Sequence, residues 1–324
     1  MNILILSCGT RCLLVDYFMD RMNGFEKVVV TDCSSNSPAL YRADKYYIVP
    51  RMSDESYIPS LIKICNNENI TTILPLQEDE LLLIAKHRDD FTKNNIIPII
   101  SPLDSIKLCR DKFSFYSKMQ QKGIPIVPTF LSKNKEKIIS QYGLPIYMKP
   151  RYGAGSVSNY IINNSSAITN IIENESREFV LQPYIRGTEY GVNAYVDLIS
   201  KELVEVFILK KIRMRAGETE KSRSIHNEII RTLVKRICET IQICGPIDID
   251  IMEYKGKFYV LEVNPRFGGA YPHTHSCGMN YVRMIANNAI GIKNEPFKME
   301  YEDDIVAFRY MTISTMKRKD TDDE

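Results

Sequence analysis

Val260-Leu261-Glu262-Val263-Asn264-Pro265-Arg266-Phe267-Gly268-Gly269 predicts a buried strand that ends in a carboxylate, an amide and a guanidinium. A second acidic residue, Asp250, lies upstream, and the polar, glycine-containing segment 253–257 is typical of a hairpin turn. Because side chains alternate along a strand, Glu262 and Asn264 share one face, where Asp250 can lie opposite Glu262. Carboxylate and amide oxygens are the donors that Mg²⁺ prefers. The alternative is an ordinary hairpin with solvated acidic residues at its edge.

The composition is that of an ordinary globular protein. The chain has 324 residues, 44% of them hydrophobic and 25% charged, with a net charge of +2. This balance gives no support for nucleic acid or a membrane surface as the main partner. The eight cysteines form no CxxC pair and predict core residues in a reducing compartment. The apolar start, residues 1–6, lacks a basic segment and predicts a buried strand rather than a signal peptide, so we expect a cytoplasmic protein.

The first hundred residues alternate between apolar strand-like runs and amphipathic helical segments. This alternation predicts a doubly wound parallel sheet. The first βα turn, residues 7–12, has one glycine where a dinucleotide-binding fingerprint needs three, which argues against a nicotinamide dehydrogenase. Ligands of such sheets bind beyond the carboxyl ends of the strands, where Arg11, Asp32 and the acidic cluster 77–80 fall. That cluster has the equally plausible alternative of complementing a helix dipole.

The pattern changes after Ser101-Pro102, where Asp104 or Ser105 is positioned to cap a helix. We expect four parts: residues 1–105, a small lobe at 106–185, a large lobe with the metal site at 186–316, and a disordered tail at 317–324. In the small lobe, an extended segment at 124–130 precedes a strand that ends at Lys149. The glycine-rich loop that follows that strand can approach phosphate oxygens, although it lacks P-loop spacing.

Six motifs occur in the order typical of ATP-grasp ligases: Asp111-Lys112, Met148-Lys149-Pro150, the loop 153–156, the segment 182–189, Asp250, and 262–266. The chain most resembles the carbamoyl-phosphate-synthase large-subunit-like branch, over residues 1 to about 290. The resemblance implies an α/β and α+β fold, in which an N-terminal doubly wound parallel-sheet (pre-ATP-grasp) domain precedes a two-lobed ATP-grasp domain.

The resemblance also implies a role for individual residues, with ATP and Mg²⁺ (or Mn²⁺) as cofactors. It assigns the ATP phosphates to Lys112, Lys149, Gly153, Gly155 and Ser156, the adenine to Gln182 and Ile185, and the ribose to Glu189. It assigns the metal to Asp250, Glu262 and Asn264, and the transferred phosphoryl group to Arg266, with Asp248 as a lesser candidate behind the metal ligands.

Two further segments carry candidate residues. The segment 210–218 holds four cations, and it resembles the family's cleft-lining stretch, so Lys210, Arg213 and Arg215 are candidates for a phosphate or a substrate carboxylate. A solvated strand face is the alternative. His273, His275 and Cys277 lie close together, but their spacing matches no usual zinc pattern. For these residues, we prefer substrate contact or helix-entry hydrogen bonds to zinc.

These expectations combine into a stand-alone carboxylate–amine ligase, with Arg266, Lys149 and Arg215 as catalytic residues. The partners would be a small carboxylate and an amine, and a homodimer is compatible with the family. Three alternatives remain: a carbamoyl-phosphate-synthase-like subunit that needs a partner chain, an ATP-binding module that does not ligate, and a phosphotransferase with a hydroxyl acceptor.

Overall fold

The N-terminal part of the molecule is a five-stranded parallel sheet covered by helices. The structure is a computed structural model, and it describes residues 1–153, 158–296, 301–313 and 315. The strands are β1 (Asn2–Leu6), β2 (Lys27–Asp32), β3 (Lys45–Ile48), β4 (Thr72–Pro75) and β5 (Ile97–Pro98). The helices are α1 (Cys12–Met19), α2 (Tyr57–Glu68), α3 (Glu78–Lys86) and α4 (Arg88–Thr92). The strand order β3-β2-β1-β4-β5 confirms the doubly wound topology.

A small antiparallel sheet follows. Its strands are β6 (Phe130–Leu131), β7 (Ile146–Pro150), β8 (Tyr160–Ile162) and β9 (Phe179–Pro183), in the order β6-β9-β7-β8. The helices of this region are α5 (Leu103–Arg110), α6 (Lys112–Gln121), α7 (Lys135–Tyr142) and α8 (Ser165–Asn174).

One local prediction in this region was wrong. Helix α5 begins at Leu103, and neither Asp104 nor Ser105 caps it. The Ser105 hydroxyl donates instead to the carbonyl of Ile241, 2.5 Å away, because it faces a neighbouring helix. The predicted extended segment 124–130 makes a parallel bridge between Ile126 and Val260 and enters β6 at Phe130.

The third sheet is antiparallel and has six strands. They are β10 (Thr188–Val196), β11 (Leu203–Arg215), β12 (Glu218–Ile225), β13 (Gly245–Tyr254), β14 (Lys257–Asn264) and β15 (Val306–Phe308). Their order is β14-β13-β10-β11-β12-β15. The helices are α9 (Glu228–Ile241), α10 (Tyr271–Ser276) and α11 (Tyr281–Ala289). The strands of the three sheets fall within the predicted ranges 1–105, 106–185 and 186–316, whereas the predicted tail lies outside the described residues.

Aromatic packing joins the first sheet to the third. Tyr17 of α1 stacks on His275 of α10 at a centroid distance of 3.8 Å, and Phe18 meets Phe267 edge-on at 6.3 Å. These contacts bring α10 and the loop after β14 against α1. No helix in the described part of the chain has the length and apolarity to cross a membrane.

Candidate active site

The hairpin of β13 and β14 pairs Asp250 with Glu262 and Asp248 with Asn264. Its turn residues, Lys255 and Gly256, both have positive φ, as a tight two-residue hairpin turn requires. Counting outward from that turn, a regular hairpin would place Leu261 opposite Asp250. A β-bulge between Asp250 and Ile251 shifts the register by one residue and brings Glu262 there instead. The bulge therefore sets the predicted carboxylate pair on one face.

A lysine that the sequence analysis did not select occupies this face. Lys211 Nζ lies 2.6 Å from Asp250 Oδ1 and 3.7 Å from Glu189 Oε2, and only 7% of the Lys211 side chain is exposed. Burial opposes its charge, but the carboxylates of Asp250, Glu189 and Asp248 together outweigh burial and raise the pKa of Lys211. The sequence feature that could have indicated this contact is Gly191. This glycine lies on β10, between β13 and β11, and leaves no side chain between Asp250 and Lys211.

Glu262 lies beside two cations, Lys149 of β7 and Lys112 at the start of α6. Burial alone would raise its pKa, but the charges of Lys149 and Lys112 hold the pKa of Glu262 below its ordinary value. Lys149 is buried near the end of β7, and its side chain makes no hydrogen bond or ion pair with any residue that the structure describes. Burial lowers the pKa of Lys149, and Glu262 is the strongest opposing charge. A buried cation without a direct partner favours a ligand of opposite charge.

Arg266 is held from two sides. Its Nη1 lies 3.0 Å from Asp248 Oδ2, and its Nη2 lies 3.6 Å from Glu78 Oε1 at the start of α3. Asp248 also accepts a 3.4 Å hydrogen bond from the Asn264 amide. Asp248 therefore positions both a predicted metal ligand and the predicted phosphoryl-binding arginine.

Lys112 contacts the first residue of the glycine-rich loop. Its Nζ donates to the Gly153 carbonyl at 2.6 Å. The preceding residue, Asp111, caps α6, because its side chain accepts hydrogen bonds from the backbone N–H groups of Phe113 and Ser114. Arg151 grips Asp111 through Nε at 2.8 Å and Nη2 at 2.5 Å. The Asp111–Arg151 pair thus ties α6 to the base of the loop.

The predicted adenine and ribose residues lie along the connection between the two antiparallel sheets. Gln182 is buried in β9, where its amide donates to the Thr129 hydroxyl at 2.8 Å. Ile185 is half-buried just beyond that strand, and Glu189 is the second residue of β10, with a side chain 40% exposed. Lys211, which lies near both carboxylates, links Glu189 to Asp250.

The remaining predicted residues belong to the glycine-rich loop and to the cationic segment 210–218. Gly155 and Ser156 are outside the described residues. Arg213 and Arg215 are exposed and pair with Glu220 of β12 at 2.9 and 3.4 Å, and Lys210 pairs in register with Arg223. Lys211, rather than its three predicted neighbours, is thus the cation of this segment that contacts Asp250 and Glu189. These two carboxylates and Glu262 form the carboxylate row.

The acidic cluster at the start of α3 has individual partners beyond the helix dipole. Glu78 faces Arg266, Asp79 pairs with Arg110, and Glu80 accepts from Ser7 Oγ at 2.7 Å and from Tyr57. Burial raises the pKa of Glu80 to about 7.

The histidines have structural partners. His273 Nδ1 lies 2.8 Å from the Ser222 hydroxyl and Nε2 lies 3.1 Å from the Ile305 carbonyl, so both ring nitrogens are engaged. His275 stacks on Tyr17. Within the described ranges, no three His, Cys, Asp and Glu side chains cluster closely enough to hold a metal ion.

The donor set on the hairpin nevertheless fits magnesium. Asp250 and Glu262 supply two carboxylates, and Asn264 supplies an amide oxygen two residues further along the same strand face. Burial, with Asp248 and Glu262 nearby, raises the pKa of Asp250 in spite of Lys211, so the patch favours additional positive charge. Mg²⁺ typically binds one or two carboxylates and completes its shell with phosphate oxygens and water.

The chain matches known families in two segments. Residues 109–270 match the ATP-grasp domain family, and residues 3–100 match the PylC-like N-terminal domain family. The chain belongs to the ATP-grasp family. This membership accounts for the two antiparallel sheets that flank the lysines and the carboxylate row, and it confirms the resemblance inferred from the motif order.

Curated relatives of this ATP-grasp protein include carbamoyl phosphate synthase large chains. The chain is 24% identical to that of Clostridium perfringens over 278 residues, which cover 78% of this chain and 25% of the relative. It is 21% identical to that of Pyrococcus furiosus over 267 residues, which cover 76% and 25%. The chain therefore spans about a quarter of the length of these relatives.

Solved structures share the fold at low sequence identity. N5-carboxyaminoimidazole synthetase from Staphylococcus aureus complexed with ADP has a TM-score of 0.72 and 17% identity, covering 91% of this chain and 78% of that one. The biotin carboxylase domain of 2-oxoglutarate carboxylase from Hydrogenobacter thermophilus, with MgADP and bicarbonate, has a TM-score of 0.75 and 16% identity, covering 93% and 72%. At sequence identities this low, the similarity shows a shared fold and nothing more.

Proposed function

We propose that this ATP-grasp protein is an ATP- and Mg²⁺-dependent ligase. In this proposal, it activates a carboxylate as an acyl phosphate, joins it to an amine, and releases ADP and phosphate. The observation that carries the proposal is the pairing of Asp250 with Glu262 beside a buried lysine, Lys149, whose side chain has no direct partner among the residues described. Such a row of carboxylates and cations suits a metal-bound triphosphate better than it suits a neutral ligand.

ATP would lie between the small antiparallel sheet and the large one. Lys112 and Lys149 would bind its phosphates, with backbone N–H groups of the loop at Gly153, Gly155 and Ser156. Gln182 and Ile185 would hold the adenine, and Glu189 the ribose. Asp250, Glu262 and Asn264 would hold Mg²⁺, which when bound neutralises phosphate charge; Mn²⁺ has the same preference for oxygen donors.

The reaction would need positioning more than a nucleophilic side chain. A carboxylate oxygen of the substrate attacks the γ-phosphorus, and the bond to the β–γ bridging oxygen breaks to leave ADP. The amine nitrogen then attacks the acyl carbon, phosphate leaves, and the nitrogen loses a proton. Arg266 and Lys149 would stabilise the charge on the transferred phosphoryl group, and the loop would exclude water. Arg215 has weaker support for a catalytic role because Glu220 holds it at an exposed position.

Three alternatives would give different products. A carbamoyl-phosphate-synthase-like subunit would need a partner chain, an ATP-binding module would bind without turnover, and a phosphotransferase would yield a stable phosphorylated alcohol. A homodimer belongs to the proposal because the relative from Hydrogenobacter thermophilus is described as a dimer; light scattering would measure the mass.

The test is ADP and phosphate formation from Mg-ATP with pooled carboxylates and amines. We expect turnover that requires both substrates, with one ¹⁸O passing from a labelled carboxylate into phosphate. Glu262→Gln should lower turnover at least a hundredfold, whereas Glu239→Gln, on the exposed face of α9, should leave it unchanged. Formation of AMP and pyrophosphate, or phosphate without the label, would overturn the acyl-phosphate mechanism.

A further inference from the structure

Arg11 is a guanidinium without a direct partner among the described residues. It follows β1 in the first βα turn, where its backbone N–H donates to the Cys8 carbonyl at 2.9 Å. Its half-buried side chain makes no hydrogen bond or ion pair with any residue in the described part of the chain. Burial, with Arg266 and Arg309 nearby, lowers the pKa of Arg11 to about 10 in spite of the Asp248 carboxylate. An arginine withdrawn from water in this way has five donors available for an anion.

The neighbouring arginines already have partners. Arg266 is held by Asp248 and Glu78, and Arg309 pairs with Glu218. Within the described residues Arg11 has no ion-pair partner, and Asp248, the carboxylate whose charge acts on it, is already held by Arg266. An incoming anion would find the corner already desolvated, which strengthens the attraction between unlike charges.

Gly269 leaves room for a methyl-sized group beside Arg11. A Cβ placed on Gly269 would lie 3.9 Å from Arg11 Nη1 and 3.9 Å from Glu218 Oε1. Because Glu218 pairs with Arg309 through Oε2, its Oε1 and the Arg11 guanidinium both lie near the same point. This combination matches a ligand that carries its own carboxylate and ammonium on neighbouring atoms.

The location suits a second substrate. Arg11 belongs to the carboxyl edge of the parallel sheet, where ligands of such sheets bind. Gly269 belongs to the loop that also carries Arg266, and the contacts of Tyr17 and Phe18 hold α1 against that loop. The open point therefore lies between the first sheet and the carboxylate row.

We propose that Arg11 binds the carboxylate of the acid substrate, and that this substrate is an α-amino acid whose ammonium faces Glu218 across the space beside Gly269. The inference rests on the proposed ligase function and names its substrate class. Arg11 is then a binding residue contributed by the N-terminal sheet. Glu218 distinguishes an amino acid from a simple carboxylic acid.

Calorimetric titration would test the pocket directly. The protein, saturated with Mg²⁺ and a non-hydrolysable ATP analogue, is titrated with L-amino acids, their des-amino acids and their carboxamides. We expect wild type to bind an amino acid, Arg11→Gln to weaken that binding at least tenfold, and the carboxamide to bind poorly to both. Arg11→Lys should recover part of the affinity. Arg51→Gln removes an exposed arginine as the matched control.

Further readouts separate this inference from the ligase proposal. Affinity for the ATP analogue and the melting temperature should be equal in wild type and Arg11→Gln, and in turnover KM for the acid should rise more than kcat falls. Glu218→Gln should weaken binding of the amino acid but not of the des-amino acid; equal effects on both would overturn the assignment of the ammonium.

Amino-acid binding that needs Arg11 but yields no ADP would support the pocket and refute the ligase. Carboxylate-dependent ADP formation with an unchanged KM in Arg11→Gln would refute the pocket and support the ligase. If wild type binds none of the three probe classes, the pocket is refuted.

Discussion

Lys211 forms a 2.6 Å ion pair with Asp250 although the two residues lie on strands that are not neighbours. Strand β10 separates them, and its residue in this row is Gly191, which pairs with Asp250 on one side and Leu209 on the other. The lysine side chain crosses the strand where no side chain stands. The absence of a Cβ on β10 thus decides which cation reaches the predicted metal ligands.

A branched side chain at position 191 should block this crossing. A Cβ there would lie 3.0 Å from Leu209 Cδ1 and 3.5 Å from Lys211 Cε. We expect Gly191→Val to displace Lys211 and to lower ATP turnover at least tenfold, equivalent to about 1.4 kcal/mol. Gly191→Ala, which fits with a small shift of Leu209, should lose less. Equal turnover in the two variants would show that the crossing is unimportant.

Gly268 should tolerate no side chain, in contrast to Gly269. A Cβ at 268 would lie 2.4 Å from Asp248 Oδ1 and 3.0 Å from Asn193 Oδ1, whereas at 269 the nearest atoms are 3.9 Å away. Because Asp248 holds Arg266, we expect Gly268→Ala to lower the free energy of unfolding by about 1–3 kcal/mol and to reduce turnover. Denaturant unfolding of both variants provides the check, and a matched loss in Gly269→Ala would contradict the explanation.

Arg151 should matter for ATP binding through the position of Lys112. Removing its grip on Asp111 frees the base of the glycine-rich loop from α6. We expect Arg151→Gln to raise the dissociation constant of Mg-ATP about tenfold, equivalent to about 1.4 kcal/mol. Glu178→Gln removes only the exposed partner of Arg151, 2.9 Å away, and should have a smaller effect. Calorimetric titration with ATP measures the dissociation constant of each variant. A larger effect of Glu178→Gln would refute the role of the Asp111–Arg151 pair.

Glu205 should make stability depend on pH. It is buried in β11, Oε2 lacks a hydrogen-bond partner among the described atoms, and burial raises its pKa to about 7 from an ordinary 4.5. Between these two values the folded state holds a proton that the unfolded state releases, so the free energy of unfolding falls as pH rises. The fall attributable to Glu205 is at most about 3 kcal/mol.

Replacing Glu205 by glutamine should flatten this dependence. Glu80, whose pKa is also raised to about 7 by burial, acts in the same direction, so part of the slope should remain. Urea unfolding at pH 5, 6, 7 and 8 measures the slope, with the exposed Glu202→Gln as the charge-matched control. An unchanged slope in Glu205→Gln would show that this carboxyl group does not titrate in that window.

The carboxylate hairpin shows how far sequence reasoning reached and where it stopped. The polar segment 253–257 predicted the turn, and the pairing of Asp250 with Glu262 is as expected. The tight turn at Lys255 and Gly256 would, by itself, have put Glu262 one residue out of register. The bulge that corrects this depends on packing between neighbouring strands, because local alternation carries no information about an inserted residue.

The sequence by itself determined the alternating parallel domain, the order of the ATP-grasp motifs and the residue types able to bind phosphate and metal. These properties follow from local hydrophobic periodicity and from short motifs. Only the tertiary structure selected Lys211 over Lys210, Arg213 and Arg215, and only it left Arg11 without an ion-pair partner among the described residues. Both outcomes depend on which strands and loops become neighbours, since the electrostatic environment of a side chain is set by contacts between segments distant in sequence.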